Sequence, residues 1–200
     1  MPPRLDVREL RSDVLGPWSL SAARGEIIVL SGTSGSGKTR LLRAIADLDP
    51  CTGEVRLDGA TREGYRPADW RGLVAYLSTD SRWWRDTAGE HFHPSEWTEP
   101  TRLGLPADVL AQPLSRLSSG ERQRLALLRL LARNPRVLLL DEPTANLDSE
   151  STRLVEALLL DYRDHSRAAM LWVSHDPGQT TRLDARRLGM RAGYLEALAT

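Results

Sequence analysis

The chain has 200 residues, with 27 Lys and Arg against 27 Asp and Glu, a formal net charge of zero, and one cysteine. That length suits one or two compact units with a real core, and the balanced charge lacks the basic footprint that nucleic-acid binding calls for. Cys51 alone excludes an internal disulfide, no apolar stretch approaches the roughly 18 to 20 residues of a bilayer span, and Met1-Pro2-Pro3-Arg4-Leu5-Asp6 lacks a signal-peptide core, so the expectation is a cytosolic protein.

In chain order, residues 5 to 30 hold short strand-like pieces broken by Gly16-Pro17 and Arg24-Gly25, which predicts an antiparallel β region. Glu26-Ile27-Ile28-Val29-Leu30 reads as a buried strand. It runs into Gly32-Thr33-Ser34-Gly35-Ser36-Gly37-Lys38-Thr39, and Lys38 is the only lysine of the chain. The pattern G-x-x-x-x-G-K-[ST] is the phosphate-binding P-loop: backbone N–H groups wrap a polyphosphate, the lysine meets its β and γ groups, and the hydroxyl holds Mg²⁺. Leu41, Leu42, Ile45 and Leu48 then recur at helical spacing, so the loop opens a helix whose N-terminus faces the anion.

Gly53 to Gly59 alternates like a half-exposed strand ending in an Asp-Gly turn, and Val74 to Leu77 reads as another buried strand. From Ser81 to Arg116, three of the six tryptophans, four prolines and little periodicity predict a small irregular or helical lobe. Leu117-Ser118-Ser119-Gly120-Glu121-Arg122-Gln123-Arg124 starts a helix that continues through Leu125 to Leu131, and its small residues form a second phosphate cradle that this chain does not need for its own P-loop. Val137 to Leu140 is an apolar strand delivering Asp141 and Glu142 at the sheet edge where α/β proteins bind ligands. Asp141 is placed to hold Mg²⁺, and Glu142 to take a proton from an attacking water or to order it. Leu154 to Leu160 reads as helix, and Met170 to Val173 as a last strand before Ser174-His175-Asp176. This alternation predicts a mainly parallel sheet covered by helices on both faces, and no internal repeat is visible.

Taken together, GTSGSGKT at 32 to 39, LSSGERQR at 117 to 124, LLLDEPTANLD at 138 to 148 and Ser174-His175-Asp176 resemble the ATP-binding cassette ATPases in order and spacing, over nearly the whole chain. The resemblance implies a P-loop NTPase with a catalytic core at 1–80 and 125–200 and a helical subdomain at 81–124. It implies ATP and Mg²⁺ as cofactors and a head-to-tail dimer with a second such subunit around two ATPs. A separate membrane permease and a place on the cytoplasmic face of the inner membrane are implied with it, and no nucleic-acid partner. Carried over residue by residue, Ser34, Gly35, Ser36, Gly37, Lys38, Thr39 and Arg40 contact the nucleotide from one subunit, and Ser118, Ser119 and Gly120 from the other. Thr39 and Asp141 hold the metal. Glu142 looks like the catalytic glutamate, His175 like the γ-phosphate histidine, and Asp148 like the loop acid that communicates across the dimer. The stretch from Asp86-Thr87 to Trp97 is similar to small bacterial cassettes assigned to iron export.

Two departures stand out. Thr79 occupies the position of the family's glutamine, and residues 10 to 13 (Leu10, Arg11, Ser12, Asp13) offer no aromatic for adenine, leaving Arg11 as a stacking substitute. Two other readings stay open: a soluble ABC ATPase outside transport, and a nucleotide-binding regulatory module impaired in hydrolysis. Glu90, His91, His93 and Glu96 invite a metal reading, but Pro94 breaks helical geometry and solvated loop histidines are the commoner case. Trp83, Trp84 and Trp97 fit either lobe core or an anchor for a partner helix. The arginines at 122, 124, 129 and 133 read as a solvated helix face.

Overall fold

The computed structural model describes residues 1–93 and 99–198; Glu96 and Trp97 lie outside them. β1 (Leu5–Arg11) and β2 (Trp18–Ala22) pair antiparallel, and β3 (Ile27–Ser31) then feeds the Gly-rich loop and α1 (Lys38–Ile45). β4 (Thr52–Leu57) returns antiparallel to β1 and turns at Asp58-Gly59 into β5 (Ala60–Thr61), and α2 (Pro67–Leu73) leads into β6 (Val74–Leu77). After the lobe come α3 (Ser119–Leu131), β7 (Val137–Asp141), α4 (Ser149–Ser166), β8 (Ala169–Val173), α5 (Pro177–Arg182), β9 (Arg186–Arg191) and β10 (Tyr194–Ala197). The antiparallel sheet runs β2-β1-β4-β5 and the main sheet β10-β9-β3-β8-β7-β6, parallel apart from the β9–β10 hairpin.

Strand alternation explains why β3, β7 and β8 are apolar throughout. Ile28, Leu30, Val137, Leu139, Leu171 and Val173 point to the core shared with α1 and the antiparallel sheet. Ile27, Val29, Leu138, Leu140, Met170 and Trp172 point to the opposite core, with α3 and α4. A strand buried on both faces needs no polar side, so its sequence reads as one run. The predicted fold is therefore the observed one. α2 and α5 were not anticipated: each is a short, mostly polar helix that starts on a proline at 67 or 177, too brief to show a hydrophobic period.

The expected helical subdomain is less helical than its name. Among the described residues, the helical elements of 81–116 are 3₁₀ turns, at Gly89–His91, Pro100–Leu103, Val109–Ala111 and Leu114–Arg116, beside one antiparallel bridge between Thr87 and Pro113. Prolines that lack an N–H and restrict the preceding residue keep the segment from a longer helix. Its one α-helix is α3, which crosses the boundary placed after residue 124.

Asp58 joins the two sheets. Its carboxylate lies 2.8 Å from Arg4, 2.6 Å from Arg24 and 3.1 Å from Arg136, and Arg4 also donates to the Arg167 carbonyl. The Arg4 side chain is only 6% exposed, so removing its counter-charge leaves a cation in the interior. Asp58→Asn keeps a side chain tolerant of the observed φ of 51° and isolates the charge. It is expected to lower unfolding free energy by about 3 kcal/mol, read from urea denaturation.

Candidate active site

The loop between β3 and α1 can form only with glycine. A Cβ on Gly32 would stand 2.4 Å from the Met190 carbonyl oxygen, and one on Gly37, at φ 110°, 2.7 Å from Leu15. At Gly35, by contrast, a Cβ would meet nothing within 4 Å, which marks the open mouth of the cradle. α1 begins at Lys38 with no side-chain cap on its first N–H groups, so the helix presents bare donors and the positive end of its dipole. Ser36 turns back with its N–H on the Thr33 carbonyl, and its buried Oγ has no partner. Lys38 Nζ donates to the carbonyls of Gly32 (2.8 Å) and Thr33 (3.0 Å), closing the loop around itself. Burial pushes the Lys38 amine below its ordinary pKa, against the opposing pull of Glu142 and then Asp141. Desolvated and facing carboxylates, the ammonium gains from a polyanion.

Asp141 ends β7 beside this loop. Its Oδ2 accepts from Thr39 Oγ1 at 2.8 Å and from the Tyr76 hydroxyl at 2.9 Å. A hydroxyl and a carboxylate in contact, next to a phosphate cradle, are the hard-oxygen set that Mg²⁺ takes when it keeps water and phosphate as further ligands. With the orphaned Ser36 hydroxyl and the open cradle at Gly35, these residues fit a nucleoside triphosphate with its cation. The sequence reading missed Tyr76. Strand parity could have found it: Tyr76 pairs with Leu139, two residues before Asp141, so both polar side chains share a face. Burial and Asp141 raise the phenol well above its ordinary range, so it stays a donor.

Glu142 sits one residue on, at φ 51°, a left-handed conformation that costs a non-glycine residue about 1–3 kcal/mol and is typically held at functional sites. Its Oε1 is 3.1 Å from His175 Nε2. The histidine loop is fastened from behind. Asp176 caps α5 through Gly178 N–H and pairs with Arg182 at 2.7 Å, and Arg182 reaches the buried Glu156 at 2.8 Å. Arg182 and the Gly178 N–H hold the Asp176 carboxyl below the usual range. Gln179 adds bonds to Thr144 and Glu156. Thr79, at the glutamine position, donates to the Asp141 main-chain carbonyl at 3.1 Å, so its hydroxyl tethers the end of β7.

The structure thus brings together Ser36, Lys38, Thr39, Asp141, Glu142 and His175. Ser34 and Gly35 form the exposed rim, and Arg40 pairs with Asp13 at 3.1 Å. Among the described residues no hydrogen bond joins this group to Ser118, Ser119, Gly120 or Asp148. Ser118 caps α3 in a reciprocal box, donating from both N and Oγ to the Glu121 carboxylate (2.8 Å each) and accepting from the Glu121 N–H. Gly120 lies against Leu147. Asp148 caps α4, accepting from Ser151 N and Oγ at 2.8 and 3.0 Å.

The smaller features resolve as follows. Arg11 pairs with Glu9 at 3.4 Å. Cys51 is a half-buried free thiol that accepts from Arg62. His91 accepts from the Trp84 N–H at 3.1 Å, and no group of three metal-ligating side chains exists among the described residues. The α3 arginines depart from a solvated face. Arg122 reaches the Leu117 carbonyl, Arg124 the Ser151 hydroxyl, and Arg129 lies over Trp83, leaving Arg133 exposed. Long aliphatic stems let such residues bury most of their length.

The sequence profile of the family described as ABC transporter matches residues 15–145. The ATP-dependent lipid A-core flippase of Cupriavidus metallidurans is 36% identical over 163 residues, covering 70% of this chain and 27% of that protein. The chain therefore spans about a quarter of that relative's length. The probable iron export ATP-binding protein FetA of Escherichia coli K12 is 30% identical over 184 residues, covering 86% of this chain and 82% of the relative. In fold, the chain is similar to a dimeric post-hydrolysis ATP-binding cassette bound to ADP and Pi, with TM-score 0.78, 21% identity, and coverage of 98% and 99%.

Proposed function

Because this chain belongs to the ABC transporter family of ATP-binding proteins, we propose that it hydrolyses ATP at the site around Lys38 and Glu142 to drive a separate membrane subunit. The observation that carries the site assignment is the strained Glu142, hydrogen-bonded to His175 and next to Asp141, whose partner Thr39 follows Lys38. Lys38, the bare N–H groups of α1 and the Ser36 hydroxyl bind the phosphates. Thr39 and Asp141 hold Mg²⁺, with Tyr76 orienting the aspartate. Mg²⁺, when bound, offsets charge on the phosphate oxygens. Glu142 accepts the proton of the attacking water, and His175 fixes the rotamer of Glu142. In-line phosphoryl transfer needs little else than such positioning and fixed charge.

Ser118, Ser119 and Gly120 stand apart from this group and would serve the nucleotide of a second copy, whose own α3 start completes the first site. Asp148, capping α4, would couple the two sites. The lobe at 81–118 with α3 is the docking part and the rest the core. No helix among the described residues is long and apolar enough to cross a membrane. In the proposed assembly the membrane partner does the spanning, and this chain sits on that partner's cytoplasmic side. Flippase and iron-export relatives at similar identity leave the cargo to that partner.

A site shared between two copies predicts turnover per subunit that rises with protein concentration. Mg²⁺-dependent phosphate release, measured from about 0.1 to 50 μM protein, is expected to climb more steeply than first order before saturating. Strictly first-order turnover across that range contradicts the shared site.

A further inference from the structure

Glu156 is a carboxylate on the inward face of α4, beside Val155, Leu158 and Leu159, and no step of the hydrolysis proposed above uses it. It is only 5% exposed and takes its donors from α5. Gln179 Nε2 donates at 2.8 Å, and Arg182 closes a fork on both oxygens, Nε on Oε2 at 2.9 Å and Nη2 on Oε1 at 2.8 Å. At i and i+3, Gln179 and Arg182 share one face of their helix. The same amide reaches Thr144 Oγ1 at 3.1 Å, just beyond Glu142, and the same guanidinium reaches Asp176 Oδ2 at 2.7 Å, just beyond His175. Glu156, then Asp176, holds the Arg182 guanidinium above its ordinary range. The segments carrying Glu142 and His175 are thus tied to one buried carboxylate from behind. In front, among the described residues, the two side chains meet through the 3.1 Å bond between His175 Nε2 and Glu142 Oε1.

We propose that Glu156 is a positioning residue for ATP hydrolysis: through Gln179 and Arg182 it sets the place of His175, and through His175 the rotamer of Glu142. The proposal rests on the assignment of Glu142 and His175 as the hydrolytic pair. α5 has 6 residues, of which Gln179 is the buried one, and a helix that short does not hold its own geometry in water. The His175 side chain is half-exposed and makes a single hydrogen bond among the described residues, so its aim is inherited from the loop that carries it. A buried ion pair adds little stability over apolar residues of the same volume. What it adds here is direction, because a planar guanidinium forked onto a carboxylate fixes the geometry of both partners. The Gln179 amide is turned so that Glu156 and Thr144 are both served while its own Oε1 stays buried without a partner, a cost that marks the orientation as imposed.

The test is steady-state ATP hydrolysis by Glu156→Gln, alone and combined with His175→Ala, at saturating Mg²⁺ and one fixed protein concentration. Gln fills the same volume but turns an amide toward the Arg182 donors and breaks the fork. kcat is expected to fall about tenfold, since a misplacement of about 1 Å can cost about a hundredfold. KM for ATP is expected to stay unchanged, because the phosphate contacts come from the Gly-rich loop and α1. In the His175→Ala background the same exchange is expected to cost nothing further. A merely structural Glu156 would lower turnover by the same factor in both backgrounds, and that additivity overturns the proposal, as does a kcat equal to the parent's. Arg182→Lys, at a side chain 43% exposed, keeps the charge and loses the fork. It is expected to show the same dependence on His175, and it replaces Glu156→Gln in the cycle should that variant not fold. If Glu142→Gln abolishes turnover while Glu156→Gln leaves it intact, the positioning role alone fails. If Glu142→Gln turns over like the parent, the proposed function fails and the positioning role with it.

Discussion

Glu142→Gln is expected to lower kcat for ATP about a thousandfold while leaving ATP binding close to that of the parent protein. Gln has the size and backbone tolerance of Glu, so the φ of 51° and the strand end survive the exchange. What disappears is the carboxylate that takes the proton, an effect worth about 10²–10⁴ in rate. Binding should hold because the phosphate contacts come from Lys38, Ser36 and the start of α1, none of which bonds Glu142. A shift in thermal midpoint with added ATP reads binding, and phosphate release reads turnover. His175 Nε2 is 3.1 Å from the carboxylate, so the two residues act as a unit and their effects are non-additive. His175→Ala alone is expected to cost less than Glu142→Gln, and the double variant no more than Glu142→Gln. Unchanged turnover in Glu142→Gln would move the base elsewhere.

Most of this site was legible because its parts are local in sequence. Gly32 to Thr39 carries its own turn chemistry, and β7 announces itself as an apolar run that ends on two acids. Contacts created by sheet register were harder to read. Tyr76 reaches Asp141 from 65 positions away, and only the parallel pairing of β6 with β7 brings them together. The same holds for Thr79. Read alone it is a missing glutamine, whereas in the fold its hydroxyl is committed to the Asp141 carbonyl. The α3 arginines show the opposite failure. Charge at helical spacing suggests solvent, but the lobe places Trp83 and Trp84 against Arg129, and nothing in the local pattern of 119 to 131 encodes that. Ser118 and Asp148 are legible as helix caps, whereas the proposed role of these two residues toward a second copy is not encoded in the helix start itself.

Lys38→Arg is the sharper test of how the phosphates are held. Arginine supplies 26 of the 27 basic side chains here, so a site needing only positive charge would be expected to use it. The geometry argues against such equivalence. Lys38 Nζ sits between two carbonyls of its own loop at 2.8 and 3.0 Å, a span that suits a compact ammonium and not a broad planar fork. The loop cannot widen to admit the larger head, because Gly32 is packed against the Met190 carbonyl and Gly37 against Leu15. Lys38→Arg is therefore expected to lose about 10²–10³ in turnover, within about threefold of Lys38→Met, as when a fixed transition-state donor is removed. ATP affinity should fall by about tenfold or more, since a displaced loop misaims the N–H groups of α1 as well. Without nucleotide, Lys38→Met should stay near the parent's thermal midpoint, because the Lys38 amine bonds only within its loop, whereas Lys38→Arg should fall below it because the packed loop has to shift around the larger head. If Lys38→Arg kept more than about a tenth of parental turnover while Lys38→Met did not, charge alone would suffice and the closed loop would not be the determinant.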